Sequence, residues 1–268
     1  EVFQKQQEVT RKWLSAEPVM LDGERVEVEL NIGLATKQEL DASCHLDGIG
    51  LLRTEFLYMG RDTLPDEEEQ VKAYTQVLRA FEGKPVIIRT LDVGGDKKLS
   101  YLNLPVEENP FLGNRALRLC FQHPEIFLTQ LRACLRASVA GQLWIMFPMV
   151  GTVEDIRKAK QLLKQAQQEL DQEQIPYADT IKIGIMVEIP SIALMADLAA
   201  KEVDFASIGT NDLTQYTMAA DRMNPAVGHY CQMYNPAVFR LIGQVVSSFS
   251  AQGKPVGVLS LIHISEPT

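Results

Sequence analysis

The chain has 268 residues, of which 46% are hydrophobic and 23% charged. That is enough for one sizeable core, and a single α/β barrel of about 250 residues is an ordinary outcome. A net charge of −9 argues against a nucleic-acid binder, and no apolar run reaches the roughly 18 residues of a membrane-inserted helix. Cys44, Cys120, Cys134 and Cys231 form no C-x-x-C pair and stand at no zinc spacing to a His. They read as reduced, packed thiols of a cytoplasmic protein.

The chain opens without a signal peptide or initiator Met, in a polar helical stretch that runs to about Ala16. It is expected to start inside a longer protein, with residues 1–20 as a helical linker and residues 21–258 as one domain. Residues 259–268, LSLIHISEPT, have no counterpart in what precedes them and are expected to be a non-native tail.

Seven strand-sized apolar runs follow in order: Val26–Gly33, Gly48–Thr54, Pro85–Leu91, Leu143–Val150, Ile181–Ile189, Phe205–Gly209 and a short Pro255–Val258. Most are apolar on both faces, as strands of a covered parallel sheet are. Helical patterns separate them. Asp66–Phe81 stacks Val71, Tyr74, Leu78 and Phe81, with acidic residues in its first turn and Gly83 beyond its end. Pro124–Ser138 is expected to bury Phe127, Leu131, Cys134 and Leu135. Thr152 and Asp155 have capping-box spacing and start a helix to about Leu170. Ser191 is expected to cap Ile192–Lys201, and Pro236–Gln252 closes the series. Alternation of this kind predicts parallel strands joined by right-handed crossovers. An eighth strand, placed in the irregular stretch near Asn109–Gly113, would close a (β/α)8 barrel. An open doubly wound sheet is the alternative.

In such a barrel the chemistry gathers where strands end. Arg53-Thr54-Glu55 follows the second run, and Arg89-Thr90-Leu91-Asp92 the third, leading into Gly94-Gly95-Asp96-Lys97. Glu188 ends the fifth run. Thr210-Asn211-Asp212 follows the sixth, with Arg222 ten residues on. Singly, each has an ordinary structural explanation: a salt bridge, a turn, a helix cap. Together they place arginines, which grip phosphate through paired hydrogen bonds, beside two carboxylates of the kind that hold Mg²⁺. That combination predicts a pocket for a phosphorylated anion and a divalent ion.

The segments LLRTEFLYM, IRTLDVGGDK, NPFLGNRALR, GIMVEIPS and SIGTNDLTQYTMAADR resemble, in order and spacing, the barrel domain of enzyme I of the bacterial sugar phosphotransferase system. These are phosphoenolpyruvate–protein phosphotransferases, and the likeness is closest to multiphosphoryl-transfer variants. It spans about residues 20–258. It implies a (β/α)8 TIM barrel of the phosphoenolpyruvate-utilising type, truncated near its last strand. It implies that Arg53 and Arg89 bind the substrate phosphate, that Glu188 and Asp212 hold Mg²⁺, and that Asn211, Asp212, Arg222 and Arg115 complete the substrate cradle. The implied reaction moves the phosphoryl group of phosphoenolpyruvate to a histidine of an N-terminal domain and leaves pyruvate, as the first step of sugar uptake. Implied partners are a histidine phosphocarrier protein or domain and a second copy of the chain.

The chain departs from the family pattern in three places. The family continues V-G-x-C-G-E, with its Cys as proton donor, and here Leu259 takes that position. Asn114 replaces the aromatic residue before Arg115. The phosphohistidine domain is absent, and His45, His123, His229 and His263 match no motif. The fragment is therefore expected to bind substrate without turning it over. A pyruvate–phosphate dikinase or phosphoenolpyruvate synthase domain is the alternative within the superfamily, and a non-catalytic phosphoenolpyruvate-sensing dimerisation module is the alternative outside enzymes.

Overall fold

The computed structural model describes residues 17–33, 40, 46–94, 99, 101–102 and 104–259. The helix expected before Ala16, Cys44, His45, the Gly95-Asp96-Lys97 segment and residues 260–268 lie outside the described residues.

All seven expected strands form. They are β1 (Glu29–Ile32), β2 (Gly48–Arg53), β3 (Pro85–Arg89), β4 (Gln142–Phe147), β5 (Lys182–Val187), β6 (Phe205–Gly209) and β7 (Val256–Leu259). They pair in sequence order, and every pair is parallel. The result is a nearly closed α/β barrel. Among the described residues its helices of five residues or more are α1 (Glu67–Ala80), α2 (Leu117–Gln122), α3 (Pro124–Ala137), α4 (Val153–Glu173), α5 (Pro190–Leu194), α6 (Ala196–Glu202), α7 (Thr210–Met218) and α8 (Pro236–Ser250).

Two-sided burial explains why the strands are apolar throughout. One face packs into the barrel interior, where Leu51, Ile87, Met146, Met186 and Phe205 meet. The other face packs under the helices: Ile49, Ile88, Ile145, Ile185 and Ile208 join Phe127, Leu131, Leu163 and Phe249 in the main core. β6 is buried at all five positions. By contrast β7 is half-buried or exposed along its length, because β7 and β1 are the two ends of the sheet.

The caps of α1 and α4 follow the residue spacing. Asp66 accepts from the Glu69 N–H while the Glu69 carboxylate accepts from the Asp66 N–H, and Thr152 and Asp155 make the same exchange. Two expectations are corrected. Pro110–Leu112 is a single 3-10 turn, and no eighth strand occurs among the described residues. Pro110, with its fixed φ and missing N–H, suits the start of a helical turn rather than a ladder. Ser191 is not a helix cap. Pro190 takes the first helical position, and the Ser191 hydroxyl donates to the Gly151 carbonyl at 2.7 Å. The last strand also runs one residue further than expected, so Leu259 pairs with Gly209.

Candidate functional site

Parallel register brings the strand ends together. Arg53 and Arg89 are register partners at the ends of β2 and β3, and Glu188 stands one residue beyond β5. Thr210-Asn211-Asp212 forms the first turn of α7, immediately after β6. These residues line a cavity of about 160 Å³ that carries four arginines, Arg53, Arg89, Arg115 and Arg222, and three carboxylates, Asp92, Glu188 and Asp212. Asn211 and Leu259 line it as well. Every expected site residue is therefore in one place.

A lattice of ion pairs holds the arginines. Arg89 reaches Glu55 at 2.7 Å and Asp92 at 3.1 Å. Arg115 donates to both Asp92 oxygens, at 2.9 and 3.2 Å, and to both Asp212 oxygens, at 3.4 and 3.1 Å. Arg222 donates to Asp212 Oδ1 at 3.0 Å. Burial alone would lower the pKa of Arg89 and Arg115, but the facing carboxylates outweigh it and raise both. The guanidiniums stay charged although they are buried. Arg53 is held differently. Its guanidinium lies 4.9 Å from the Phe56 ring centroid, and its Nε is buried without a hydrogen-bond partner among the described residues.

Glu188 is fully buried. Its Oε1 accepts from the Met149 N–H at 2.6 Å, whereas Oε2 is buried without a partner among the described residues. Met149 has φ of 51°, a left-handed conformation unusual for a side-chain-bearing residue. Burial pushes the Glu188 pKa up to about 7, with Asp212 and Asp92 adding to the rise and Arg115 and Arg89 opposing it. A cation beside Oε2 would satisfy that oxygen and relieve the repulsion. Among the described residues no group of three His, Cys, Asp or Glu side chains is arranged for a metal. Glu188 and Asp212 are two oxygen donors of the kind Mg²⁺ takes alongside substrate oxygens and water, with both Asp212 oxygens also accepting from Arg115 and Arg222.

Glycines make room. At Gly209 a Cβ would stand 2.8 Å from Glu188 Oε2, and at Gly94, with φ of 108°, one would stand 2.9 Å from Arg115 Cα. The loop after β3 can pass Arg115 only without a side chain there. An aromatic ring packs on two of the arginines: Phe111 lies 5.7 Å from Arg115 and 5.8 Å from Arg222.

Three contributors were not assigned from the sequence. Glu55 and Asp92 follow their arginines by two and three residues, and that proximity was the available signal. Tyr216 gave none: one turn after Asp212 on α7, its hydroxyl accepts from Arg115 at 3.3 Å and donates to the Phe111 carbonyl at 2.5 Å.

A parallel α/β barrel whose strand ends converge on an arginine-rich, carboxylate-flanked cavity belongs to the class of barrels that carry their sites at the C-terminal face. Comparison with known proteins narrows the class. The family described as "PEP-utilising enzyme, PEP-binding domain" matches residues 7–260, and this chain belongs to it. A phosphoenolpyruvate-protein phosphotransferase of Staphylococcus carnosus (strain TM300) is 56% identical over 258 residues, covering 96% of this chain and 45% of that protein. One from Priestia megaterium is 54% identical over 247 residues, covering 92% of this chain and 43% of that protein. The chain thus spans less than half the length of these relatives. A citrate lyase from Burkholderia xenovorans LB400 superposes with a TM-score of 0.54 at 16% identity, over 91% of this chain and 65% of the other. That likeness concerns the fold alone. No helix among the described residues is long and apolar enough to cross a membrane.

Proposed function

We propose that this chain binds phosphoenolpyruvate with Mg²⁺, as the substrate-binding part of a phosphotransferase that phosphorylates a protein histidine. The single observation that carries the reading is the cavity in which four arginines face three carboxylates, one of them with an unsatisfied buried oxygen. Arg53 and Arg89, which line the cavity, would hold the phosphoryl oxygens. The first turn of α7 offers the positive end of a helix dipole to the anion. Glu188 and Asp212 would hold Mg²⁺, which when bound would neutralise negative charge developing on the enol oxygen.

In the whole protein, the bond between phosphorus and the enol oxygen breaks and a histidine nitrogen takes the phosphoryl group. The electron pair stays on the enol oxygen, and protonation of the enolate carbon completes pyruvate. Positioning and charge neutralisation dominate such a transfer. A histidine phosphocarrier as acceptor downstream, sugar uptake as the purpose, a cytoplasmic location and a homodimer belong to the same proposal.

Leu259 favours a second reading for this chain on its own. It lines the cavity, and the Thr210 hydroxyl fixes its carbonyl at 2.8 Å. A leucine there donates no proton, so the chain as it stands binds and orients substrate, as a sensing module would. Calorimetric titration with phosphoenolpyruvate, with and without Mg²⁺, tests the common core of both readings. Mg²⁺-dependent binding that disappears in Arg89→Ala is the expected result. A folded wild-type chain that fails to bind would falsify the assignment of the pocket.

A further inference from the structure

A buried polar relay beneath the arginines lies outside the cavity itself. Gln130, on α3, is 1% exposed. Its Oε1 accepts from the Leu91 N–H at 2.8 Å, just past the end of β3. Its Nε2 donates to Thr54 Oγ1 at 3.0 Å and to the Tyr74 hydroxyl at 3.2 Å. Thr54 Oγ1 in turn donates to the Arg89 carbonyl at 2.9 Å. One amide thus ties together the exits of β2 and β3, and these are the segments that carry Arg53 and Glu55 on one side and Arg89 and Asp92 on the other.

The donor directions are fixed all along the relay. The Leu91 N–H can only donate, so the amide oxygen must face it and the NH₂ must face Thr54 and Tyr74. Thr54, having accepted, gives its own proton to Arg89. Tyr74, having accepted, donates to Gln70 Oε1 at 3.0 Å, and Gln70 closes the outer end by donating to the Pro65 carbonyl at 3.2 Å. Buried networks of this kind rigidify what they connect when every member is satisfied. The two ends of the relay differ in what they hold: Gln130 holds the arginine-bearing strand exits, whereas Gln70 holds Tyr58, Tyr74 and the approach to α1.

We infer that Gln130 is a positioning residue, which sets the spacing of Arg53 and Arg89 and so the affinity for a phosphoryl group without touching it. This rests on the reading of the cavity as a phosphoenolpyruvate site. Displacements of about 1 Å in a supporting shell are enough to degrade a site built on paired hydrogen bonds.

The test compares Gln130→Met with Gln70→Met in the 268-residue chain. Both remove an amide of the same relay, so both lower the melting temperature. Calorimetry with phosphoenolpyruvate and Mg²⁺ separates them. Gln130→Met is expected to weaken binding at least tenfold, and Gln70→Met to leave it within twofold. Amide hydrogen exchange supplies a readout that needs no ligand: exchange at Leu91 and Thr54–Leu57 accelerates at least tenfold in Gln130→Met only. Equal affinity losses in the two variants, or unchanged binding in Gln130→Met, would overturn the inference. If the wild-type chain does not bind phosphoenolpyruvate, the functional reading falls, and the exchange data alone decide the clamp. Exchange that is equal in the two variants would then sink it.

Discussion

Asp92 shows how one side chain can organise a site. It accepts from Arg89 on one side and grips Arg115 with both oxygens on the other, and it is 1% exposed. Asp92→Asn leaves two buried guanidiniums short of a countercharge, which costs about 3 kcal/mol. A dianionic ligand returns negative charge to the same place. Phosphoenolpyruvate should therefore raise the melting temperature of Asp92→Asn by more than it raises that of the wild type, a difference read directly by thermal denaturation. Equal shifts would mean that the ligand does not face these arginines. Glu188 behaves in the opposite sense. Its folded-state pKa is raised from an ordinary 4.5 to about 7, chiefly by burial and then by Asp212 and Asp92, against the pull of Arg115 and Arg89. The folded chain consequently binds more protons than the unfolded chain between those values, and this group's contribution falls as pH rises through the window. Set against Glu188→Gln, the wild type should lose relative stability from about pH 4.5 to about pH 7 and then level off. The variant should also lose the Mg²⁺-dependent part of substrate binding. Urea denaturation across pH gives the first result and calorimetry the second.

At the scale of elements, local signals and tertiary packing divide the work. The α1 cap is local: Asp66 Oδ1 accepts from the Glu69 N–H at 2.8 Å, and the Glu69 carboxylate returns the bond at 3.0 Å. Asp66→Ala should cost about 1 kcal/mol in chemical denaturation and leave phosphoenolpyruvate affinity within twofold. A much larger loss would mean that the first turn of α1 supports more than itself. All seven strands were legible for a related reason, since burial on two faces writes an uninterrupted apolar run into the sequence. The same alternation showed which residues stand at strand ends, and so exposed Arg53, Arg89 and Glu188. Other features left no such trace. Pro110–Leu112 is apolar, but Pro110 offers no N–H to a ladder and its fixed φ suits a helical turn, which is what forms. Ser191 looked like a cap because its hydroxyl could serve one, but Gly151 on a neighbouring loop took it. Glu55 and Asp92 were visible as neighbours of arginines, but the way Asp92 bridges Arg89 and Arg115 depends on a contact between residues 23 apart in the chain. Tyr216 reaches Arg115 across 101 residues, and no local pattern announces such a meeting.

For the whole molecule, the order of the sheet sets the main vulnerability. Among the described residues seven parallel strands run from β1 to β7, so β1 and β7 each pair with one neighbouring strand there. Open edges are templates for pairing with another chain unless charge, proline or a covering element blocks them. Val256–Leu259 contains neither a charged residue nor a proline, and Val258 is 39% exposed there. We expect association that grows with concentration through this edge, and Val258→Lys should suppress it by placing a charge on the solvent-facing side of the strand. Sedimentation velocity over a range of concentrations decides the matter. A dimer built on another face of the barrel would persist unchanged in Val258→Lys at every concentration, and would show that assembly does not use the strand edge. Loss of the larger species in the variant, with phosphoenolpyruvate binding retained, would locate self-association at β7 and separate it from the pocket at the carboxyl ends of the strands.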